Sequence, residues 1–228
     1  MAETSPNTEP VGARKALIDA AIDLFGDAGY DAVSTRMLSE TAGTNLASIK
    51  YYFGSKDDLY RAALEHVVEY LKPRILFALA AFEQGSELAG DDRELQAKLV
   101  AQLVERVAGV FLGDAEVPHF MPFVLREFFT PGPHFDVLYE ALPRHLHELF
   151  TRIVGMAYDL DPTSEEAIVR AHGIIGQVMI FHVGREILFR RTGWQEFTPD
   201  LIAKVTREIQ HLVLRSLSLP VEVIDETA

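Results

Sequence analysis

Cysteine is absent from this 228-residue chain, which removes disulfides, thiolate metal sites and a cysteine nucleophile, and fits a reducing compartment. No apolar run reaches the roughly 18 residues that a membrane span requires, and residues 1–11 are polar, acidic and proline-containing rather than signal-like. The expected location is therefore cytoplasmic, with no membrane partner. Positive charge is scarce: 21 Lys and Arg stand against 34 Asp and Glu, a formal net charge of −13. A nucleic-acid partner needs local positive charge, and in the first sixty residues that duty would fall on Arg14, Lys15, Arg36, Lys50 and Lys56. Also missing are a phosphate-cradling glycine loop, a serine nucleophile elbow and a His-x-x-x-His pair on one helix, so nothing marks the chain as an enzyme. No cofactor is expected.

What is present is helical periodicity throughout, with 48% hydrophobic residues supplying a core for one domain or two modest ones. Residues 1–11 read as a disordered arm. From about Gly12 to Ala28, Leu17, Ile18, Ala21, Leu24 and Phe25 recur at helical spacing, opposite Asp19, Asp23 and Asp27. Gly29 can close this helix in the left-handed conformation. A second helix starts at Ser34 as N-cap and turns inward Met37, Leu38 and Thr41 or Ala42; Gly43 then turns the chain. Asn45 caps a third helix of about Leu46 to Tyr52. Leu46, Ile49 and Phe53 form its expected packing face, leaving Ala47, Ser48, Lys50 and Tyr51 to face outward, where small side chains permit close approach to a DNA groove. Two short helices around a glycine also describe a plain αα-corner.

Gly54 and Ser55 break the third helix, and Lys56 opens a long fourth one through about Phe82. Pro73 inside it predicts a kink near Leu71 or Lys72, or a split. The polar run Gln84 to Asp92 reads as a separator. Beyond it, helical patterns cover about 93–112, 117–129, 135–158, 164–191 and 199–217, and Pro220 to Ala228 reads as a frayed acidic tail. No stretch alternates as a strand. The expected fold is all-α: a helix-turn-helix head at 12–58 and a larger helical bundle at 59–219.

Set in this order, the residues resemble the TetR family of bacterial transcriptional regulators. The likeness covers about Ala13 to Leu64. It is carried by Ala20-Ala-Ile-Asp-Leu-Phe-Gly-Asp-Ala-Gly-Tyr30, Ser34-Thr-Arg36, Ala42-Gly-Thr-Asn45, Ile49-Lys-Tyr-Tyr-Phe53 and Lys56-Asp-Asp-Leu-Tyr60. Thr44 stands where the family often has Val. The second half resembles the CecR-like subgroup through Arg126-Glu-Phe-Phe-Thr-Pro-Gly-Pro133, Gly176-Gln-Val-Met-Ile-Phe-His182 and Arg190-Arg-Thr-Gly-Trp194.

The resemblance implies a homodimeric repressor, bound to a pseudopalindromic double-stranded operator and released by a small-molecule effector. Thr35, Arg36, Tyr51 and Lys56 would touch phosphate, the last beside the N–H groups that open helix four. Thr44, Asn45, Ala47, Ser48 and Lys50 would be the candidates for reading bases.

Within the apolar series of the second half, Phe120, Phe123, Glu127, Phe128, His134, Phe150, His172, Gln177 and Phe181 are the candidates for an effector pocket. His145 and His147 point apart on a helix, and His172 and His182 are roughly 80° offset at 3.6 residues per turn, so no metal site is expected. Glycines inside the 164–191 helix cost roughly 1 kcal/mol each relative to Ala. Close packing against a second subunit would offset that, through Gly173, Gly176, Ile180, Gly184, Ile187, Val205, Ile209 and Leu212; close packing within one chain is the lesser alternative. The competing class is a DNA-binding protein whose C-terminal domain only dimerises or meets a protein, with no small ligand.

Overall fold

The computed structural model describes residues 12–225, so the expected N-terminal arm at 1–11 lies outside the described residues, as do the last three. The described residues form helices and no strand. In order these are α1 (Ala13–Ala28), α2 (Thr35–Thr41), α3 (Leu46–Tyr52), α4 (Lys56–Ala89), α5 (Arg93–Gly113), α6 (Val117–Phe129), α7 (Phe135–Ala141), α8 (Pro143–Tyr158), α9 (Glu165–Val183), α10 (Arg185–Thr192), α11 (Pro199–Ser216) and α12 (Glu222–Asp225).

The described residues divide into two compact units, one of residues 12–70 and 118–139, the other of 71–117 and 140–225. The first is centred on aromatic rings. Phe25 of α1, Tyr60 of α4 and Phe123 of α6 are each almost wholly buried, with Tyr60 edge-on to Phe25 at 4.7 Å and to Phe123 at 5.3 Å between centroids. Such pairs add about 0.5–1.5 kcal/mol beyond their burial. The second unit is built on the pairings of α8 with α9 and of α11 with α5, which bury Leu149, Phe150, Ile174, Val178, Ile209 and Val213.

Four expected boundaries are corrected. Helix α4 runs unbroken past Pro73 and through Gln84 to Ala89. Gly85 costs helix propensity there, but a Cβ at this position would fall on the Leu99 side chain, so its bareness permits α5 to approach. The expected 135–158 helix is two, because Pro143 opens α8 and keeps Leu142 out of the helical region at φ −132°. The expected 164–191 helix bends by 60° at Gly184, which ends α9 and begins α10. The acidic tail is not frayed as far as it is described: Val223 and Ile224 are buried, and α12 packs on α5. Their apolar burial outweighs the acidic composition around them. Among the described residues no single helix is long and apolar enough to cross a membrane.

His182 lies in the second unit's core, where its Nδ1–H donates to the Phe111 carbonyl at 2.9 Å. Burial lowers its proton affinity against that bond. Burial, then the neighbouring His172, lowers that of His147 as well. A histidine with a depressed folded-state value is protonated first in the unfolded chain, so stability falls as pH drops below about 6.5. Urea midpoints should therefore fall from about pH 7.5 to about pH 5.5, and His182→Gln should flatten that fall.

Candidate nucleic-acid interface

Local chemistry builds the α2–turn–α3 unit. The Ser34 hydroxyl accepts from Met37 N–H at 3.2 Å and opens α2, and Asn45 Oδ1 accepts from Ser48 N–H at 2.9 Å and opens α3. Gly43 makes the turn between them at φ +63°, a left-handed conformation that L side chains rarely adopt. Thr44 N–H closes the turn on the Ser39 carbonyl at 2.9 Å.

The outward face of α3 consists of Leu46, Ala47, Lys50 and Tyr51, with Leu46 58% and Tyr51 79% exposed. Three expectations are corrected here. Ser48, expected outward as a base reader, is fully buried, because its hydroxyl donates to Asn45 Oδ1 at 3.1 Å and needs no solvent. Leu46, expected inward, takes its place on the open face. Met37 of α2, also expected inward, is 38% exposed. Thr44 and Asn45 are half-buried in the turn, and the Asn45 side chain is engaged in the cap. The Thr44 hydroxyl oxygen is buried without a hydrogen-bond partner among the described residues.

Around this face lie the expected phosphate ligands. Thr35 is half-buried, and Arg36 is exposed and paired with Glu40 at 2.7 Å. Tyr51 stands edge-on to Tyr52 at 4.9 Å. Lys56, the first residue of α4, holds its ammonium 4.1 Å from the Tyr30 ring centroid, a cation–π contact.

Two carboxylates share the first turn of α4, and both have partners. Asp58 accepts from the Ser55 hydroxyl at 2.5 Å, while Ser55 caps Asp58 N–H at 3.0 Å. Asp57 accepts from Tyr30 O–H at 3.2 Å and pairs with His134 Nε2 at 2.8 Å. The His134 hydrogen bond holds the Asp57 carboxyl below its ordinary range.

The segment from the end of α6 to the start of α7 grips the head from a second side. Arg126 donates to the Gly26 and Asp27 carbonyls at 2.8 and 2.6 Å, capping the C-terminal end of α1. Glu127 is buried and accepts from the Tyr60 hydroxyl and from Gly132 N–H. Burial, then Glu127, pushes the Tyr60 phenol strongly upward. A Cβ at Gly132 would fall on the Tyr60 hydroxyl, so only glycine fits this approach.

The effector-pocket candidates do not gather in either unit. Phe120, Phe123, Glu127, Phe128 and His134 belong to the first unit, and Phe150, His172, Gln177 and Phe181 to the second. Phe120 packs on Tyr70 at 5.1 Å, and Phe123 is core. Phe128 is 41% exposed. Phe150 is core and Phe181 half-buried, while His172 stacks on His147 and Gln177 bonds Ser216 at 2.8 Å. A groove of about 440 Å³ in the second unit, walled by Arg74, Phe77, Arg106 and Val110, contains none of them.

The expected dimer residues divide. Gly173, Gly176 and Ile180, joined by Val169 and Val183, which the sequence did not single out, form one exposed stripe of α9 with spacings of four and three residues, the heptad rhythm of a helix–helix seam. A Cβ at Gly173 or Gly176 would meet nothing within 4 Å, so packing within this chain does not explain these glycines. Gly184, by contrast, stands where a Cβ would come within 3.0 Å of the Ile180 carbonyl oxygen, and it serves the bend. Ile187 of α10 and Leu212 of α11 are exposed as well. Val205 and Ile209 are corrected: both are buried in the core, because α11 turns that face onto α5.

Residues 17–63 match the family described as bacterial regulatory proteins, tetR family. Residues 97–218, more than half of the chain, match the C-terminal domain of the HTH-type transcriptional dual regulator CecR. The chain belongs to the TetR family. CecR of Shigella flexneri is 29% identical over 213 residues, covering 90% of this chain and 93% of its own. The regulator BetI of Rhizobium meliloti (strain 1021) is 40% identical over 73 residues, 32% of this chain and 36% of its own.

Among solved structures, AibR in complex with isovaleryl coenzyme A and operator DNA superposes with a TM-score of 0.60. It is 13% identical and covers 88% of this chain and 97% of its own. The TetR-family regulator SCO4454 of Streptomyces coelicolor gives 0.57 at 16% identity, covering 95% and 98%. At these identities the structures speak for the fold. This TetR-family protein is a DNA-binding transcriptional regulator, of a family of regulators rather than enzymes, and α2–turn–α3 is its helix-turn-helix.

Proposed function

We propose that the protein acts as a cytoplasmic homodimer on a pseudopalindromic operator, represses from it, and releases it when a small-molecule effector favours a different separation of the two heads. The observation that carries the DNA part is the bare outward face of α3, with Ala47 and Lys50 exposed between Leu46 and Tyr51, and Lys56 at the start of α4. Small and cationic side chains on one exposed helical face fit a major groove. Lys50 is the base reader the placement favours, with Thr35, Arg36, Tyr51 and Lys56 on phosphate. Thr44 and Asn45 hold the turn.

The open stripe of α9 supports the dimer, and AibR's complex with isovaleryl coenzyme A and operator DNA supports an effector. Because the chain is acidic, affinity leans on two heads bound together rather than on a strong basic patch. An effector favouring the released state by about 1–3 kcal/mol would weaken operator binding roughly 5–150-fold. A competing reading, a purely dimerising C-terminal part, draws on the separation of the pocket candidates between the two units.

Lys56→Ala tests the phosphate assignment. Each phosphate contact contributes about 0.9 to the slope of log affinity against log salt. With two heads, the variant should lower the slope by about two and weaken all duplexes alike. An unchanged slope in fluorescence-anisotropy titrations would remove Lys56 from the contact set.

A further inference from the structure

The first turn of α4 presents a conflict. Carboxylates are favoured at a helix N-terminus by the backbone dipole, and Asp57 and Asp58 occupy it. A DNA phosphate seeks the same N–H groups. If both carboxylates faced this end, they would repel the phosphate that Lys56 is there to meet.

The structure holds each of them. Ser55 engages Asp58. Asp57 is held by Tyr30 and by His134, and the ring of that same Tyr30 carries the Lys56 ammonium. His134, Asp57, Tyr30 and Lys56 thus form one connected chain. Its far end is fixed by backbone: His134 follows Pro131-Gly132-Pro133, and Gly132 is pressed against Tyr60 and bonded to Glu127. Against the imidazole itself stand the Asp57 carboxylate at 2.8 Å and the Tyr60 ring, 6.4 Å between centroids.

We propose that His134 is a positioning residue for the DNA-phosphate site: its imidazole holds the Asp57 carboxylate away from the phosphate that meets Lys56 at the start of α4. The proposal rests on the DNA-binding reading above. DNA affinity therefore depends on the His134–Asp57 bond and on the 130–134 segment being seated on α4.

Binding of the full-length protein to a labelled duplex of arbitrary sequence tests this. His134→Ala frees the Asp57 carboxylate and weakens binding, by about threefold to tenfold for one carboxylate brought near a phosphate at a protein surface. Asp57→Asn binds at least as tightly as wild type, and the His134→Ala/Asp57→Asn double variant recovers what His134→Ala alone loses. A merely structural role would weaken Asp57→Asn and the double variant too; that result overturns the proposal. So does a His134→Ala protein that binds like wild type. Wild type that binds no duplex overturns the DNA reading itself, and the proposal with it.

Discussion

Ala47→Glu raises the dissociation constant for the operator at least about a hundredfold while moving the melting temperature by no more than about 2 °C. Ala47 lies on the open face of α3, one turn before Lys50 and Tyr51, and touches no structural bond that the fold needs. A carboxylate there carries its charge into a groove walled by phosphates, and its length prevents the close approach that a methyl group permits. Losing a good base-edge contact costs about 1–3 kcal/mol, and a symmetric dimer loses it twice. Ser48→Ala gives the opposite pattern, because Ser48 is buried and bonded to Asn45. Its removal lowers stability by about 0.5–1.5 kcal/mol and leaves sequence preference intact. Anisotropy titrations beside thermal melts separate the two. An Ala47→Glu protein that binds the operator like wild type would show that α3 does not enter the groove.

Ile180→Glu is expected to convert the proposed homodimer to monomers. Ile180 sits in the exposed seam of α9, 57% open, beside glycines that leave room for a second backbone. A two-fold interface meets each substitution twice. Two unpaired carboxylates buried together cost several kcal/mol, so the dimer dissociation constant rises at least about a thousandfold. Sedimentation velocity reads the change directly. Operator affinity collapses with it, because the second head no longer binds at the high effective concentration that the link provides. Val205→Glu is the contrast: Val205 is 3% exposed in the core between α11 and α5, and its variant loses cooperative unfolding rather than dimerisation alone. A monodisperse Ile180→Glu dimer would show that the seam lies elsewhere.

These pairs of contrasting variants mark where sequence and structure diverge. The caps Ser34 and Asn45 and the turn at Gly43 were legible because each is decided within three or four residues. The same local bond misled at Ser48. Apolar spacing placed Leu46 inside, yet the Asn45 side chain satisfies the Ser48 hydroxyl and allows the serine to be buried instead. Val205 and Ile209 read as interface because periodicity shows that a helix has an apolar face, not whether its own chain or another covers it. Longer-range contacts left no local trace. Glu127 meets Tyr60 across 67 residues of sequence, and His134 meets Asp57 across 77. The nearest signal was Gly132 between two prolines, a rigid, bare stretch of backbone that reads as a loop until its partner is known.

In the proposed dimer, two copies of this α3 face read one operator together. Selection of bound sequences from a random duplex pool, at moderate salt and with full-length protein, decides whether they do. Joint reading enriches an inverted repeat whose half-sites lie about one helical turn, or roughly 34–36 Å, apart. A pool that enriches no repeat, or only a single half-site, would rule joint reading out.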